Sequence, residues 1–124
     1  MVKTVLIVDD NAYIRQALCD LFKRADFEIS GEAENGKEAI AKARELHPDL
    51  IVLDLSMPVM NGLDAARELK RLMPAVPLLM YSAFGDRLVE QQARLVGISE
   101  LVSKSQPASI LVSKARSLVH RTAA

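Results

Sequence analysis

The chain has 124 residues, of which half are apolar and 26% are charged, and its 16 basic residues balance its 16 acidic ones. This length suits one domain with its own hydrophobic core, and the neutral balance excludes an overall electrostatic attraction to nucleic acid or to an anionic membrane. No apolar stretch is long enough to cross a bilayer and the start lacks a signal-peptide pattern, so we expect a cytoplasmic protein. The single cysteine, Cys19, excludes an internal disulfide, and its apolar neighbours predict burial.

Short apolar runs alternate along the chain with longer segments whose apolar residues recur at helical spacing. The runs predict strands at Val5–Val8, Phe27–Ala33, Leu50–Leu53, Leu78–Tyr81 and Leu101–Val102. The longer segments carry core-facing stripes at Ile14, Leu18, Leu21, Phe22 and Ala25; at Ile40, Ala43 and Leu46; at Leu63, Ala66, Leu69 and Met73; and at Leu111, Ala115, Leu118 and Val119. The pattern therefore predicts one strand followed by one helix, repeated five times.

Helix start signals agree with this alternation. Asn35 is followed three residues later by Glu38, which is the spacing of a capping pair. Asn61 and Asp86 precede further helical segments, and Pro107 suits the first turn of the last helix. We therefore expect helices to begin close to these residues.

Parallel strands need long crossover connections, so five strand-helix units in a row predict a doubly wound α/β domain with a five-stranded parallel sheet and helices on both faces. Strands one, three and four are continuous apolar runs, as expected for strands that are buried on both faces. The second strand, Phe27–Ala33, alternates instead between apolar and polar residues. We therefore expect strand two at an edge of the sheet.

Polar residues stand where four of these strands end. Asp9 and Asp10 follow strand one, Asp54 follows strand three, Ser82 follows strand four and Lys104 follows strand five. Each alone has an ordinary explanation, because Asp often caps a helix and Lys is usually solvated, and Asn11 offers an alternative cap. The carboxyl ends of parallel strands gather at one edge of the sheet, where α/β proteins bind ligands. Together these residues therefore predict a site.

Three carboxylates brought together would repel one another unless a cation joined them. Oxygen ligands suit Mg2+, whereas Zn2+ would favour His or Cys. With Mg2+ present, Asp54 can act as a nucleophile toward a phosphoryl group, and Lys104 supplies a second positive charge. The Ser82 hydroxyl would then contact a phosphoryl oxygen, and the small Ala83 leaves room for the group. These residues predict a phosphate site in which Asp54 accepts the phosphoryl group.

In order and in spacing, Asp9–Asp10, Asp54 with the loop that follows it, Ser82–Ala83 and Lys104 resemble the receiver domain of two-component response regulators. Each motif is short, but their joint order along nearly the whole chain is a specific signal. The resemblance implies a flavodoxin-like (βα)5 sheet of order 2-1-3-4-5. It also implies a receiver domain at residues 1–121, with residues 122–124 as a terminal tail or the start of a linker.

The same resemblance implies roles for the site residues. Asp54 would be phosphorylated by a histidine kinase or a phosphotransfer protein, with Mg2+ bound by Asp10, Asp54 and the backbone carbonyl of Ser56 and with Asp9 assisting. Ser82 and Lys104 would then move toward the phosphoryl group and change the face formed by helix four, strand five and helix five. That face would control a downstream effector protein or domain, and a homodimer formed on phosphorylation is an open alternative. No direct contact with nucleic acid or membrane is implied.

Two residues depart from the receiver pattern. Leu101 stands where receivers often have Tyr or Phe, whose rotation follows the movement of the hydroxyl side chain. Ser105 follows Lys104 where many receivers have proline, so a cis Lys-Pro bond cannot form and we expect a trans peptide at this point. Both departures concern the switch and leave the acidic residues intact.

Three other interpretations compete with a phosphorylated receiver. A haloacid-dehalogenase-like hydrolase also forms an aspartyl-phosphate, but it places Asp-x-Asp after strand one and adds a cap domain, unlike Asp9-Asp10 in this short chain. A flavodoxin-like cofactor carrier needs a hydroxyl-rich phosphate loop and aromatic residues around the cofactor ring, and Asp9-Asp10-Asn11 would repel its phosphate. A receiver-like protein-interaction module that acts without phosphorylation stays open, and Leu101 would be natural in it.

Overall fold

Strands and helices alternate along the chain in the computed structural model, which describes residues 2–55, 62–82 and 87–122, without the side chains of residues 82, 87–89, 121 and 122. The elements are β1 (Thr4–Val8), α1 (Ala12–Arg24), β2 (Glu28–Ala33), α2 (Gly36–Leu46), β3 (Leu50–Asp54), α3 (Gly62–Leu72), β4 (Leu78–Ser82), α4 (Arg87–Leu95), β5 (Glu100–Ser103) and α5 (Ala108–Thr122). Every predicted strand overlaps an observed one, so the predicted alternation is confirmed. Within the described ranges α5 is the longest helix at 15 residues, and every helix falls short of what a membrane span requires in length and apolar character.

The strands form one parallel sheet of order β2-β1-β3-β4-β5, which confirms the predicted doubly wound architecture. β2 lies at an edge, as its alternating sequence predicts, and its Glu28 and Glu32 are exposed. β1 is flanked by β2 on one side and β3 on the other, so the chain reverses its direction across the sheet between β1 and β3. Parallel α/β sheets bind ligands beyond the carboxyl ends of the strands at such a reversal, and the acidic residues stand at these ends of β1 and β3.

Two layers of helices bury the two faces of the sheet. The α1/α5 face is covered by α1 and α5, and its buried core includes Leu18, Phe22, Phe27, Leu111 and Leu118. The rings of Phe22 and Phe27 meet edge to face with their centroids 5.2 Å apart. The α2–α4 face is covered by α2, α3 and α4, and its helices contribute mainly alanine, at Ala39, Ala43, Ala65, Ala66 and Ala93. Cys19 is 3% exposed, which confirms its predicted burial.

The start of α2 confirms that Asn35 caps the helix. The Asn35 side chain accepts a hydrogen bond from the Glu38 N–H at 2.8 Å, as the spacing predicts. The Glu38 carboxylate pairs with Lys42 at 3.2 Å. α5 begins directly after Pro107, as expected, whereas the predicted start signals at Asn61 and Asp86 lie outside the described residues.

Leu46, predicted on the core-facing stripe of α2, is 37% exposed, so that prediction is wrong. The reason is its position at the end of α2 above the edge strand. A Cβ placed on Gly31 of β2 would lie 2.7 Å from Leu46 Cδ1, so the leucine packs down onto the glycine. Leu46 therefore shields the sheet edge and does not enter the core.

Candidate functional site

In the turn between β1 and α1, the residue that caps the helix is Asn11 and not Asp9 or Asp10. The Asn11 side chain accepts hydrogen bonds from the N–H groups of Tyr13 and Ile14, at 2.9 and 3.1 Å, so it caps α1. The Asn11 N–H donates in turn to Asp9 Oδ1 at 2.9 Å. Asp9 is buried and Asp10 is exposed. Because Asn11 starts the helix, the aspartates are not needed as caps.

Arg15, one helical turn after Asn11, holds the loop between β1 and α1 in place. Its role was not predicted from the sequence. Its Nη1 donates to the Asp9 carbonyl at 2.8 Å, and its Nε lies 3.1 Å from Glu32 Oε1 on β2. The Asp9 N–H also donates to the Ala33 carbonyl at 3.0 Å. These contacts hold the backbone of Asp9 on both sides. Arg15 on α1 and Glu32 near the end of β2 have opposite charges, and this was the sequence signal that could have predicted their ion pair.

Asp54 is the last residue of β3 and is 4% exposed. The start of α3 passes very close to it, since a Cβ on Gly62 would lie 2.5 Å from the Asp54 carbonyl oxygen and 2.6 Å from Leu55 Cα. The Gly62 N–H donates to the Leu55 carbonyl at 2.8 Å. Only glycine fits this approach, so Gly62 allows α3 to begin against the backbone of the site.

Lys104 follows β5 and reaches both buried carboxylates. Its ammonium lies 3.5 Å from Asp9 Oδ2 and 3.5 Å from Asp54 Oδ1. The same ammonium lies over the ring of Tyr81, 5.3 Å from the ring centroid. The lysine side chain is 21% exposed, so it is partly accessible to solvent. The folded chain therefore brings residues from β1, β3 and β5 together, as the strand-end pattern predicts.

Serine and glutamine side chains hold the turn that carries Lys104. The Ser103 hydroxyl lies 2.8 Å from the Ser105 hydroxyl and accepts the Ser105 N–H at 3.2 Å. The Gln106 side-chain oxygen accepts the Ser103 N–H at 3.1 Å, and the Gln106 N–H donates to the Ser103 carbonyl at 3.0 Å. None of the peptide bonds in the described ranges is cis, which confirms the trans bond expected before Ser105. Hydrogen bonds thus define this turn where no proline restricts it.

The acidic residues fit a hard divalent cation. One carboxylate oxygen from each of Asp9, Asp10 and Asp54 lies within 4.8 Å of the others. While Asp9 Oδ1 accepts the Asn11 N–H, the buried Asp9 Oδ2 has no hydrogen-bond partner in the described part of the chain. A buried carboxylate oxygen without a hydrogen bond is costly unless a cation compensates it. The Lys104 ammonium lies 3.5 Å from an oxygen of Asp9 and of Asp54, which are two of the three carboxylates in the cluster. An all-oxygen donor set of this kind suits Mg2+.

Part of the predicted site lies outside the described residues. Ser56 and Ala83 lie outside the described residues, and of Ser82 only the backbone is described, paired with Ser103 at the end of β4. Leu101, where receivers often have an aromatic residue, is half-buried and packs against the α2–α4 face. Tyr81 packs against the other face of the sheet, the α1/α5 face, and its ring lies beneath Lys104. This contact was not predicted from the sequence.

Comparison with known proteins gives consistent matches over almost the whole chain. The family model of the response regulator receiver domain matches residues 5–116. A chemotaxis protein CheY of Thermotoga maritima is 39% identical over 112 residues, which cover 90% of this chain and 93% of that protein. A protein-glutamate methylesterase/protein-glutamine glutaminase of Methanosarcina mazei is 39% identical over 109 residues, which cover 86% of this chain and 30% of that longer protein. The crystal structure of Vibrio cholerae chemotaxis protein CheY4 superposes with a TM-score of 0.89 at 28% identity, covering 95% of this chain and 99% of that one.

Proposed function

Because the chain belongs to the response regulator receiver domain family, we propose that it is a signalling switch that accepts a phosphoryl group on Asp54. The strongest support is the surroundings of the Asp54 carboxylate. It is buried at the end of β3, 3.5 Å from the Lys104 ammonium, and it belongs to the cluster formed with Asp9 and Asp10. A carboxylate held beside a fixed cation and a cation-binding cluster is suited to form an aspartyl-phosphate.

In the proposed reaction an oxygen lone pair of Asp54 forms a bond to phosphorus while the bond between phosphorus and the donor breaks. With acetyl phosphate as the donor, the electron pair of the broken P–O bond leaves with acetate, so no proton has to move. The Lys104 ammonium pairs with the oxygens of the transferred group and offsets their charge. Hydrolysis later returns the carboxylate and inorganic phosphate. The domain thus catalyses its own phosphorylation and dephosphorylation and needs no separate substrate site.

Asp10, Asp54 and the backbone carbonyl of Ser56 would hold Mg2+, with Asp9 assisting through its carboxylate. When bound, Mg2+ neutralises charge on the carboxylates and on the transferring oxygens. The role of the protein is to position the oxygens. Arg15 and the Asn11 N–H do this for Asp9 by fixing its carbonyl and its Oδ1. Ser82 would contribute a hydroxyl to a phosphoryl oxygen, and Ala83 would leave space for the group.

Phosphorylation would act on partners through the surface formed by α4, β5 and α5. The donor would be a histidine kinase or a phosphotransfer protein, and the output would be a downstream protein or effector domain. We propose a cytoplasmic location and a receiver unit at residues 1–121, with 122–124 as a tail or linker start. The Methanosarcina mazei match, which covers 30% of a longer protein, supports the idea that such a unit can form part of a longer chain.

Mass spectrometry of the intact protein after incubation with Mg2+ and acetyl phosphate tests this function. The native chain should gain one phosphoryl group, and Asp54→Asn should gain none. Asp20→Asn is the matched control, because Asp20 is an exposed aspartate on α1, away from the acidic cluster. It should be phosphorylated like the native chain. Chelation of Mg2+ with EDTA should slow the reaction in the native chain and in Asp20→Asn.

Two other outcomes would redirect the assignment. A phosphoryl group that persists in Asp54→Asn would place the acceptor on another residue. A native chain that gains nothing, although it is folded and binds Mg2+, would favour the interaction module that acts without phosphorylation.

A further inference from the structure

The position of the Lys104 ammonium is not defined by the two carboxylates alone. Both N–O distances are 3.5 Å, longer than the short contacts of a charge-assisted hydrogen bond. A lysine side chain is a flexible four-carbon stem with a strongly hydrated charge, and this one is 21% exposed. Two contacts of this length restrict the ammonium weakly, so a third contact would help to hold it between Asp9 and Asp54.

Tyr81 lies where it can make that contact. On β4 it pairs in register with Asp54 of β3 and with Val102 of β5, so its ring starts at the level of the site. The residue is half-buried and packs against the core of the α1/α5 face. The ammonium of Lys104 lies over the ring, 5.3 Å from its centroid, within the range of a cation–π interaction. One part of the ring is thus fixed by the core while its face meets the lysine.

We propose that Tyr81 is a positioning residue, whose aromatic ring holds Lys104 between the carboxylates and links the lysine to the α1/α5 face. The proposal rests on the function proposed for Asp54 in so far as it concerns phosphorylation. The ring acts through the negative charge of its π face, which an aliphatic side chain of similar size lacks. The hydroxyl has no part in this role, so Phe at position 81 should replace Tyr.

A phosphoryl group on Asp54 adds negative oxygens that compete with the ring for the ammonium. Lys104 then moves away from Tyr81, and the surroundings of the ring change. The chain offers a direct optical reporter of this step, because it contains no tryptophan and only the tyrosines Tyr13 and Tyr81. Tyr13 is 89% exposed, so Tyr13→Phe leaves Tyr81 as the one tyrosine without disturbing the core.

The resting position of the lysine can be tested by NMR without phosphorylation. In the native chain the Cε protons of Lys104 should show NOEs to the Tyr81 ring and a ring-current shift. The shift should persist in Tyr81→Phe and disappear in Tyr81→Leu, with Tyr13→Leu as the matched control that retains it. Absence of the NOEs in the native chain would overturn the proposal, and this measurement needs no variant to fold.

The kinetic test compares the same variants with acetyl phosphate and Mg2+. Tyr81→Leu should be phosphorylated about threefold to tenfold more slowly, the effect expected from losing one partly exposed cation–π contact. Tyr81→Phe should recover the native rate, and the Mg2+ affinity of both variants, measured by calorimetry, should be unchanged. Equal rates in the native chain and in Tyr81→Leu, or equal losses in Tyr81→Leu and Tyr81→Phe, would contradict a role for the ring.

Coupling to phosphorylation is read from tyrosine fluorescence in the Tyr13→Phe background. Emission should change when acetyl phosphate is added in the presence of Mg2+, and it should stay constant in Tyr13→Phe/Asp54→Asn. Constant emission in a protein that mass spectrometry shows to be phosphorylated would contradict the proposed movement of Lys104 away from Tyr81. If the native chain takes up no phosphoryl group, the proposed function fails, while the NMR result still decides the resting role of Tyr81.

Discussion

On the α1/α5 face two helices cover the sheet with large side chains, whereas on the α2–α4 face three helices cover it mainly with alanine. The first face contains Phe22, Leu18, Leu111 and Leu118, and the second receives its bulk from the strands, including Leu6, Ile51 and Met80. On the first face two helices cover five strands, and their long side chains fill the space between the helices and the sheet. On the second face three helices cover the same strands, and their small side chains allow them to pack close to the sheet. The first face should therefore be sensitive to truncation, and the second to enlargement.

The largest effect is expected from Phe22→Ala on the α1/α5 face. Phe22 is fully buried and packs edge to face on Phe27, so its loss leaves a cavity and should lower the free energy of unfolding by about 3–5 kcal/mol. Urea denaturation measures the change. Tyr13→Ala removes an aromatic ring from the same helix, but Tyr13 is 89% exposed and the change should stay within about 0.5 kcal/mol. Similar losses in both variants would remove the basis of the comparison.

A smaller effect of opposite geometry is expected from Ala66→Leu on the α2–α4 face. Ala66 is fully buried, so a larger side chain must push α3 away from the sheet, and the free energy of unfolding should fall by about 1–3 kcal/mol. Ala41→Leu is the control, since Ala41 is exposed on α2. If Ala66→Leu were as stable as Ala41→Leu, the helices of this face would not be closely packed.

The caps of α1 and α2 provide a third test, one on each face. Asn11 accepts two N–H groups and Asn35 accepts one, so each substitution by Ala should lower the free energy of unfolding by about 1 kcal/mol, with the larger loss for Asn11. Urea denaturation is again the measurement. Asn35→Asp retains the oxygen acceptor and should recover most of the stability. A greater loss at Asn35 than at Asn11 would show that the number of capped N–H groups does not decide the effect.

The smallest effects should appear as opposite responses to alkaline pH. Burial, with the nearby Glu32, raises the pKa of the Cys19 thiol above its ordinary value of 9.0. The unfolded chain then loses the thiol proton first, so this group makes the free energy of unfolding fall as pH rises above 9.0. Burial lowers the pKa of Lys70 below its ordinary value of 10.5, so in the folded chain this lysine loses its proton first. Lys70 therefore makes the free energy of unfolding rise as pH increases toward 10.5.

Urea denaturation across this pH range separates the two groups. Cys19→Ala should abolish the alkaline loss, and Lys70→Met should abolish the alkaline gain. A Cys19→Ala profile that is parallel to the native one would show that the thiol does not contribute.

The features that could be predicted from the sequence are those that depend on local patterns or on a general rule of parallel sheets. Apolar periodicity identified the strands, the helical stripes and the exposed edge strand, because each depends on residues close together in the chain. The gathering of Asp9, Asp54 and Lys104 followed from the rule that parallel strands end at one edge. Leu46 was misplaced because periodicity gives the direction of a side chain but not the end of the sheet beneath it.

Contacts that depend on strand register or on the reach of long side chains were not predictable. The pairing of Tyr81 with Asp54 is set by how β3 and β4 align, and no local pattern encodes that alignment. Arg15 reaches the Asp9 carbonyl across a turn, through a side chain with many rotamers. The closeness of Gly62 to the Asp54 backbone depends on how α3 packs against the end of β3, so it became visible only in the fold.

Because the Asn11 side chain accepts two of the N–H groups at the start of α1, the residue that caps the helix is different from the neighbouring acidic residues of the cluster. Natural selection, or an engineer, can therefore exchange Asp10, a proposed Mg2+ ligand, and alter which ion is preferred without shifting where the helix begins. A scaffold of this kind can lose its signalling chemistry and still persist as a stable, reusable binding unit.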